Sequence, residues 1–487
     1  MTTVGVLGAG VAGIAVGMAM RSAGVDDVVL YDRNDEVGGL WHTTDYPGLR
    51  CDIPSHLFSY TADPNAAWSH RYATGEEIAA YLRECADRWG LRERTRFATT
   101  VERARFDESA GMWELELADG TTARHRVLVS ATGGLTAPSI PRVSGLDVFE
   151  GPWWHASRWR HDVALEGRSV AVVGSAASAV QVVPAVAEVA AAVTVYARTP
   201  NWVVPRDDAA YDETTREAFG DDAERRRHWR TLYRESLLWH RVFDRRPDAV
   251  EELRRIALGN MHRHIDGPLL RAALTPDFDP GCKRILVSDD YYPALARPHV
   301  RLVPHEVTAL TGSGVVDASG GETPADVVVF CTGYRLGARD DGRPNVDVVA
   351  PDGRSFRSAM AARPEAYLGV AVPGFPNFFV VGGVNGSSGY GPFFLTAEIA
   401  AELIARQTVR VVTEGLRTLE VRPDVTERYN VEIQRRLGRM SWTGDCPNFY
   451  RDATGRIVSF FPGTFGELRR RCRSAPADDF VVTVAGR

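Results

Sequence analysis

Val4-Gly-Val-Leu-Gly8-Ala9-Gly10-Val11-Ala12-Gly13, continuing in small and apolar residues to Ser22, decides the fold. Val4 to Leu7 reads as a buried strand, and the run after the glycines reads as a helix. Glycine permits the tight turn at Gly8, the close approach of a pyrophosphate to the backbone at Gly10, and close helix packing at Gly13. The helix N-terminus then turns its N–H groups toward phosphate. A lone GxGxxG is weak evidence, but here a second strand, Val28 to Tyr31, follows and ends in Asp32, with Arg33 next. Asp32 lies 24 residues after Gly8, where a carboxylate accepts hydrogen bonds from a ribose.

The pattern recurs downstream. Val170 to Val173 predicts a strand, Gly174-Ser175-Ala176-Ala177-Ser178-Ala179 opens a helix, and Val193 to Tyr196 predicts the next strand. Ala176 and Ala179 replace two of the glycines. At the same 24-residue offset that gave Asp32, this unit has Arg198. A carboxylate there repels a 2′-phosphate and a guanidinium attracts it, so the first unit suits FAD or NAD and the second suits NADP. Two further apolar strands end in Thr-Gly, at Thr132-Gly133 and Thr332-Gly333, and return the chain to a sheet. The fold class is α/β, with two Rossmann-like dinucleotide-binding domains and a hydride path from NADPH to flavin.

At 487 residues the chain exceeds a single core, and about two to four domains fit its length. A net charge of −6, with both signs interspersed, leaves no footprint for nucleic acid or a membrane surface. The apolar run Val11 to Met20 is too short for a membrane span and lacks the cationic start of a signal peptide. Cys51, Cys85, Cys282, Cys331, Cys446 and Cys472 form no CxxC, so reduced thiols in a cytoplasmic protein are expected. Nothing in the sequence points to a metal. Among 57 Lys and Arg residues Lys283 is the single lysine, in Pro280-Gly-Cys-Lys283-Arg284. An ammonium and a guanidinium are not interchangeable, so this position is singled out against the alternative of a stray solvated lysine.

Between the two units lies Phe149-Glu-Gly151-Pro-Trp-Trp-His155-Ala-Ser-Arg-Trp159, which fits FxGxxxHxxxW. With Val37-Gly-Gly39-Leu40-Trp41, Tyr46-Pro-Gly-Leu-Arg-Cys-Asp52, Arg198-Thr199-Pro200, Lys283-Arg284 and Pro373-Gly-Phe-Pro-Asn377, the chain resembles the class I Baeyer-Villiger monooxygenases. These belong to the flavin-containing monooxygenase superfamily and include the cyclohexanone and 4-hydroxyacetophenone enzymes. The resemblance spans nearly the whole chain. It implies an FAD- and NADPH-dependent enzyme that forms a C4a-peroxyflavin and inserts one oxygen atom of O2 into a ketone. Its partners would be a small organic substrate and O2, and its oligomeric state is left open.

The resemblance also assigns roles. Arg284 is the arginine over the flavin, Asp52 orients it, and Lys283 faces the 2′-phosphate with Arg198 and Thr199. A fixed guanidinium keeps a peroxide anionic and stabilises the tetrahedral adduct, by the logic of an oxyanion hole. Gly8 to Gly13, Asp32, Arg33, Gly39, Leu40, Trp41, Asp52, Tyr60, Val101, Thr132, Gly133 and Asn385 are expected around FAD. Gly174 to Ser178 (Gly174, Ser175, Ala176, Ala177, Ser178), Arg198, Thr199, Lys283 and Arg284 are expected around NADP. Phe149, Gly151, His155 and Trp159 form a domain-junction motif in which His155 has a structural and gating part. The expected domains are 1–148 (FAD, first part), 149–206 (NADP, first part), 207–281 (helical insertion), 282–365 (NADP, second part) and 366–487 (FAD, second part).

Within the insertion, helices are expected over Asp221 to Phe243 and Ala249 to Leu274, with Trp229, Tyr233, Trp239 and Phe243 as a core stripe. Cys446 to Pro462 reads as a hairpin turning at Asp452-Ala-Thr-Gly455. Phe449 stands where relatives carry a tryptophan and cannot donate the indole hydrogen bond; a core aromatic is the alternative. The rival activity is oxygenation of nitrogen or sulfur, which uses the neutral hydroperoxide rather than the anion. A dithiol reductase would need a CxxC, and a cofactor-binding sensor would have no use for Arg284 and Asp52.

Overall fold

In the computed structural model, which describes residues 2–340 and 342–484, the opening stretch forms the strand Thr2–Leu7 and the helix Val11–Ser22. Gly8 has φ +105°, and a Cβ on Gly13 would lie 1.9 Å from the Gly8 carbonyl oxygen. The turn therefore closes only with glycine at both ends. Thr2–Leu7 pairs in parallel with Val28–Tyr31 on one side and Thr122–Ser130 on the other. Met112–Leu117 and Val101–Asp107 extend this sheet antiparallel, and Thr95–Arg96 closes the far edge. The late strand Phe378–Val380 pairs with Thr122–Ser130, and the helix Phe393–Thr413 packs on Val11–Ser22 in one apolar core.

A second sheet is wholly parallel, in the order Val300–Val303, Ala192–Tyr196, Ser169–Val173, Val327–Phe330, Trp153–His155. Gly174, at φ +126°, turns the chain from the central strand toward the helix Ala179–Ala187. Both expected nucleotide units are thus present, each with its glycine turn at the carboxyl end of the first strand, the usual ligand side of such sheets.

The boundaries read from sequence need correcting. Asp347–Val349 already pairs with Val101–Asp107, and Asp347 takes a hydrogen bond from Arg103 Nε at 3.0 Å. The chain has therefore rejoined the first sheet well before residue 366. The outbound and returning passages run side by side, with Ala137–Pro138 antiparallel to Tyr334–Arg335, so the crossing precedes 149. Two-residue strands carry no periodicity, which is why the sequence did not mark them.

The stretch between Val203–Val204 and Leu286–Val287, which pair with each other, holds the helices Glu213–Ala218, Asp222–Phe243, Pro247–His264 and Pro268–Leu274. The single helix expected from Ala249 to Leu274 is broken at Gly267-Pro268, since proline lacks the amide the preceding turn would bond. Trp229 and Tyr233 stack at 5.1 Å, but Trp239 and Phe243 face a cavity, so the aromatic stripe divides. Among the described residues no helix is long and apolar enough to cross a membrane.

The cysteine expectation is also corrected. Cys282 and Cys446, 164 residues apart, form a disulfide with Cα atoms 6.2 Å apart, while Cys51, Cys85, Cys331 and Cys472 are free and buried. The bridge ties the Lys283-Arg284 segment to the 446–458 turn, whose strands meet at Arg451 and Ile457. Protein denatured without reductant should therefore titrate four thiols, and six after reduction. Six before reduction would contradict the bridge.

Candidate active site

A single cavity of about 1730 Å³ opens between the two sheets and the helical insertion, and both glycine turns line it. In the first turn, Ala9 N–H donates to Asp32 Oδ2 at 2.7 Å. Asn34 donates to Oδ1 through its backbone N and its Nδ2, each at 2.9 Å. Asp32 is buried, so these bonds hold its carboxylate at the strand end beside the cradle. Gly8, Gly10, Val11, Ala12, Arg33, Gly39, Leu40, Trp41, Val101, Thr132 and Gly133 line the same part of the cavity. Ala9 and Gly13 lie behind the wall and set its shape.

Two further expected residues stand off the wall. Tyr60 is fully buried, its hydroxyl donating to Val11 O at 2.7 Å, so it supports the helix start from beneath. Asn385 is likewise buried, and its amide is used by Ile457 O (3.1 Å), Phe460 O (2.8 Å) and Gln434 Nε2 (3.2 Å). Ser387, Ser388 and Tyr390 face the cavity instead. Phe449 is not a core aromatic; it is 61 % exposed at the cavity rim, against Tyr450.

Gly174, Ser175, Ala176, Ala177 and Ser178 form the second cradle. Ser175 Oγ donates to Thr199 O at 2.7 Å, and Asn201 Nδ2 donates to Ser175 O at 2.9 Å, which pins the turn to the 199–201 loop. Arg198 faces this cradle but is paired with Glu306 at 2.8 Å, both well exposed. Lys283 lies 4.9 Å above the Phe278 ring. Partial burial lowers its pKa and Arg198 adds to that, with Asp277 opposing, so two cations converge here. Such a pair of cations suits an anion more highly charged than one carboxylate.

Arg284 and Asp52, 232 positions apart, meet between the cradles. Arg284 Nε donates to Asp52 Oδ2 at 2.9 Å, and Nη2 bonds to the same oxygen. Asp52 raises the Arg284 pKa, the largest effect on it. The arginine side chain is still 55 % exposed, so its free edge opens onto the cavity. Its segment is held by the disulfide, by Asn448 Nδ2 on Cys282 O (3.2 Å) and by Ser441 Oγ on Gly281 O (2.9 Å). Tyr450 lies close to Arg284, and burial pushes its phenol up to about 12 while Arg284 opposes.

The Asp52 segment is held across the units by Gln181. Its Oε1 accepts from Tyr46 OH at 3.0 Å and Arg50 N at 3.3 Å, and its Nε2 donates to Arg50 O at 3.0 Å. Sequence reading missed Gln181, although it is the one polar residue of the helix Ala179–Ala187. It missed Glu306, Asn448 and Tyr450 for want of any local pattern.

The junction motif sits where the two passages cross. Phe149 is buried, and a Cβ on Gly151 would lie 2.3 Å from Asp326 O and 2.8 Å from the Phe149 ring. His155 ends the edge strand of the second sheet, with Nδ1 on Ser157 Oγ at 2.8 Å and its ring against Tyr334 at 5.5 Å. Burial lowers its pKa to about 4, which keeps it neutral near pH 7. Trp159 packs on Trp154, and none of the four reaches the cavity. Among the described residues no group of three or more His, Cys, Asp or Glu could hold a metal ion.

Residues 1–214 match the flavin-binding monooxygenase-like family. The chain is 36 % identical over 487 residues to a Baeyer-Villiger monooxygenase of Pseudomonas aeruginosa, covering 99 % of this chain and 91 % of that protein. A Baeyer-Villiger monooxygenase of Streptomyces coelicolor is 38 % identical, over 98 % and 92 %. Among solved structures, an oxidised steroid monooxygenase bound to NADP superposes with TM-score 0.87 at 29 % identity, covering 99 % of each chain. Cyclohexanone monooxygenase from Rhodococcus sp. Phi1 bound to NADP+ gives 0.87 at 25 %, over all of each chain.

Proposed function

The chain belongs to the Baeyer-Villiger monooxygenases, and on that premise we propose that its cavity converts a ketone, O2, NADPH and a proton into an ester or lactone, NADP+ and water. The observation that carries the site assignment is the Arg284–Asp52 pair with its free edge on the cavity. The residues present fit both nucleotides. A Cβ at Gly8 would lie 2.6 Å from Ala131 O, Asp32 ends the first cradle, and Arg198 with Lys283 flanks the second. FAD would lie in the first cradle and NADP in the second, and together they supply the hydride transfer and the activation of O2.

What the chain contributes is placement and charge. Arg284 offers a fixed cation where negative charge develops on the ketone oxygen, and such charge stabilisation needs no rearrangement at the moment of reaction. Asp52 keeps that guanidinium oriented, and removing one partner of such a pair leaves the other misplaced or uncompensated. His155, neutral and buried off the cavity wall, acts in this reading by holding the crossing of the two units. Lys283 and Arg198 take the 2′-phosphate, with Glu306 competing for Arg198 until the phosphate arrives. The demand for NADPH supports a cytoplasmic setting.

Arg284→Ala should lower the rate of ester formation by about 10²–10³-fold. NADPH oxidation should continue, its electrons appearing as hydrogen peroxide. An unchanged ester yield would remove Arg284 from the reaction, and N-oxide or sulfoxide without any ester would favour the rival oxygenation.

Lys283→Arg should raise the KM for NADPH much more than that for NADH. Glu306→Gln should lower the NADPH value by up to about fivefold, as expected from freeing one exposed ion pair. Equal effects on both nucleotides would take these residues out of 2′-phosphate recognition.

A further inference from the structure

Arg206 is a buried cation whose side chain has no partner among the described residues. It follows Val203–Val204 and Pro205, and the loop it opens is fixed by Asp289. The Asp289 carboxylate accepts from the backbone N–H of Arg206 (2.8 Å), Asp207 (3.0 Å) and Asp208 (3.1 Å). The Arg206 side chain lines the cavity, yet the residue is only 6 % exposed. Its Nε is inaccessible and unbonded, and the side chain makes no hydrogen bond or ion pair to the described residues.

The nearby carboxylates are engaged elsewhere. Asp208 bonds Arg50 at 3.1 Å, Glu235 bonds Arg71 at 2.9 Å, and Asp52 bonds Arg284. Asp207 is exposed and bonds none of these cations. Burying a guanidinium without an anion is costly, and buried polar groups in folded proteins find partners. This wall therefore awaits one.

The second cradle already has Lys283 and Arg198 to meet a nucleotide phosphate. Arg206 belongs to neither glycine turn, and its charge acts, after Arg71, against the burial-driven rise of the Tyr72 pKa. Tyr72 and Arg206 share the cavity wall with Leu232, Trp239 and Phe243 of the helical insertion. A cation beside such an apolar surface matches a ligand with an apolar body and one anionic end. A planar carboxylate fits a guanidinium best, through two parallel hydrogen bonds.

Resting on the ketone-oxygenation reading, we propose that Arg206 is a carboxylate-binding residue of the substrate cavity and that the preferred ketone carries a carboxylate on an apolar body. The carboxylate anchors at Arg206, and the carbonyl is left for the Arg284 end of the same cavity.

The test compares an apolar medium-chain oxo acid with its methyl ester on the FAD-loaded enzyme, wild type against Arg206→Gln and Arg206→Lys. Wild type should prefer the acid by about tenfold or more in kcat/KM, the scale of a charge-assisted pair. Arg206→Gln should lose that preference through KM while keeping its rate on the ester and its KM for NADPH, and Arg206→Lys should restore it in part. Equal losses on acid and ester, or a loss confined to NADPH, would overturn the proposal. Equilibrium dialysis of octanoate against octanamide, on the holoenzymes of wild type and Arg206→Gln, needs no turnover. Preferential binding of octanoate that vanishes in Arg206→Gln supports the site, and equal binding of the two by wild type refutes it. Absence of ester from either ketone, with octanoate still preferred, would count against the oxygenation reading alone.

Discussion

The contact on which the arrangement depends is the ion pair between Arg284 and Asp52. Each belongs to a different nucleotide unit, so the pair exists only when the two sheets are correctly placed against each other. Several unrelated devices serve that one placement. Gln181 grips the segment that carries Asp52, and the Cys282–Cys446 bridge with Asn448 and Ser441 grips the segment that carries Arg284. An ion pair of this kind is weak evidence for stability, because desolvation offsets much of its attraction. It is better understood as a means of fixing a cation's position while leaving one edge free.

The cavity can be described as an allocation of cations. Lys283 and Arg198 converge at the second cradle, Arg284 sits between the cradles, and Arg206 stands on the wall of the helical insertion. In the reading proposed above they serve three negative charges: a phosphate for Lys283 and Arg198, an oxygen that becomes anionic during reaction for Arg284, and a substrate carboxylate for Arg206. Glu306 and Asp52 pair with two of the four while the cavity is open. Among the described residues Arg206 has no such partner, which is why it stands out.

Much of the fold was legible because glycine requirements are steric and local. Gly8, Gly13 and Gly174 announce their turns in any context, and the structure places Asp32 and Arg198 beside the first and second turns. Arg284 and Asp52 came from a resemblance, and the structure does bring them together. The misses have physical reasons too. The crossing strands at 137–138 and 334–335 are too short to show a period, and the disulfide joins residues 164 apart with no spacing rule. Tyr60 and Asn385 are polar residues near the cradle, and sequence cannot tell a wall from the support behind it. Arg206 is one of many arginines, and only burial without a partner distinguishes it.

In the proposed reaction one atom of O2 enters next to a carbonyl carbon in this cavity. Turnover of a ketone under oxygen-18 gas, with mass spectrometry of the product, tests it most directly. The expected product is an ester or lactone carrying one oxygen-18 atom in the alkoxy position. An unlabelled product, or recovery of all label as hydrogen peroxide with the ketone untouched, would contradict it.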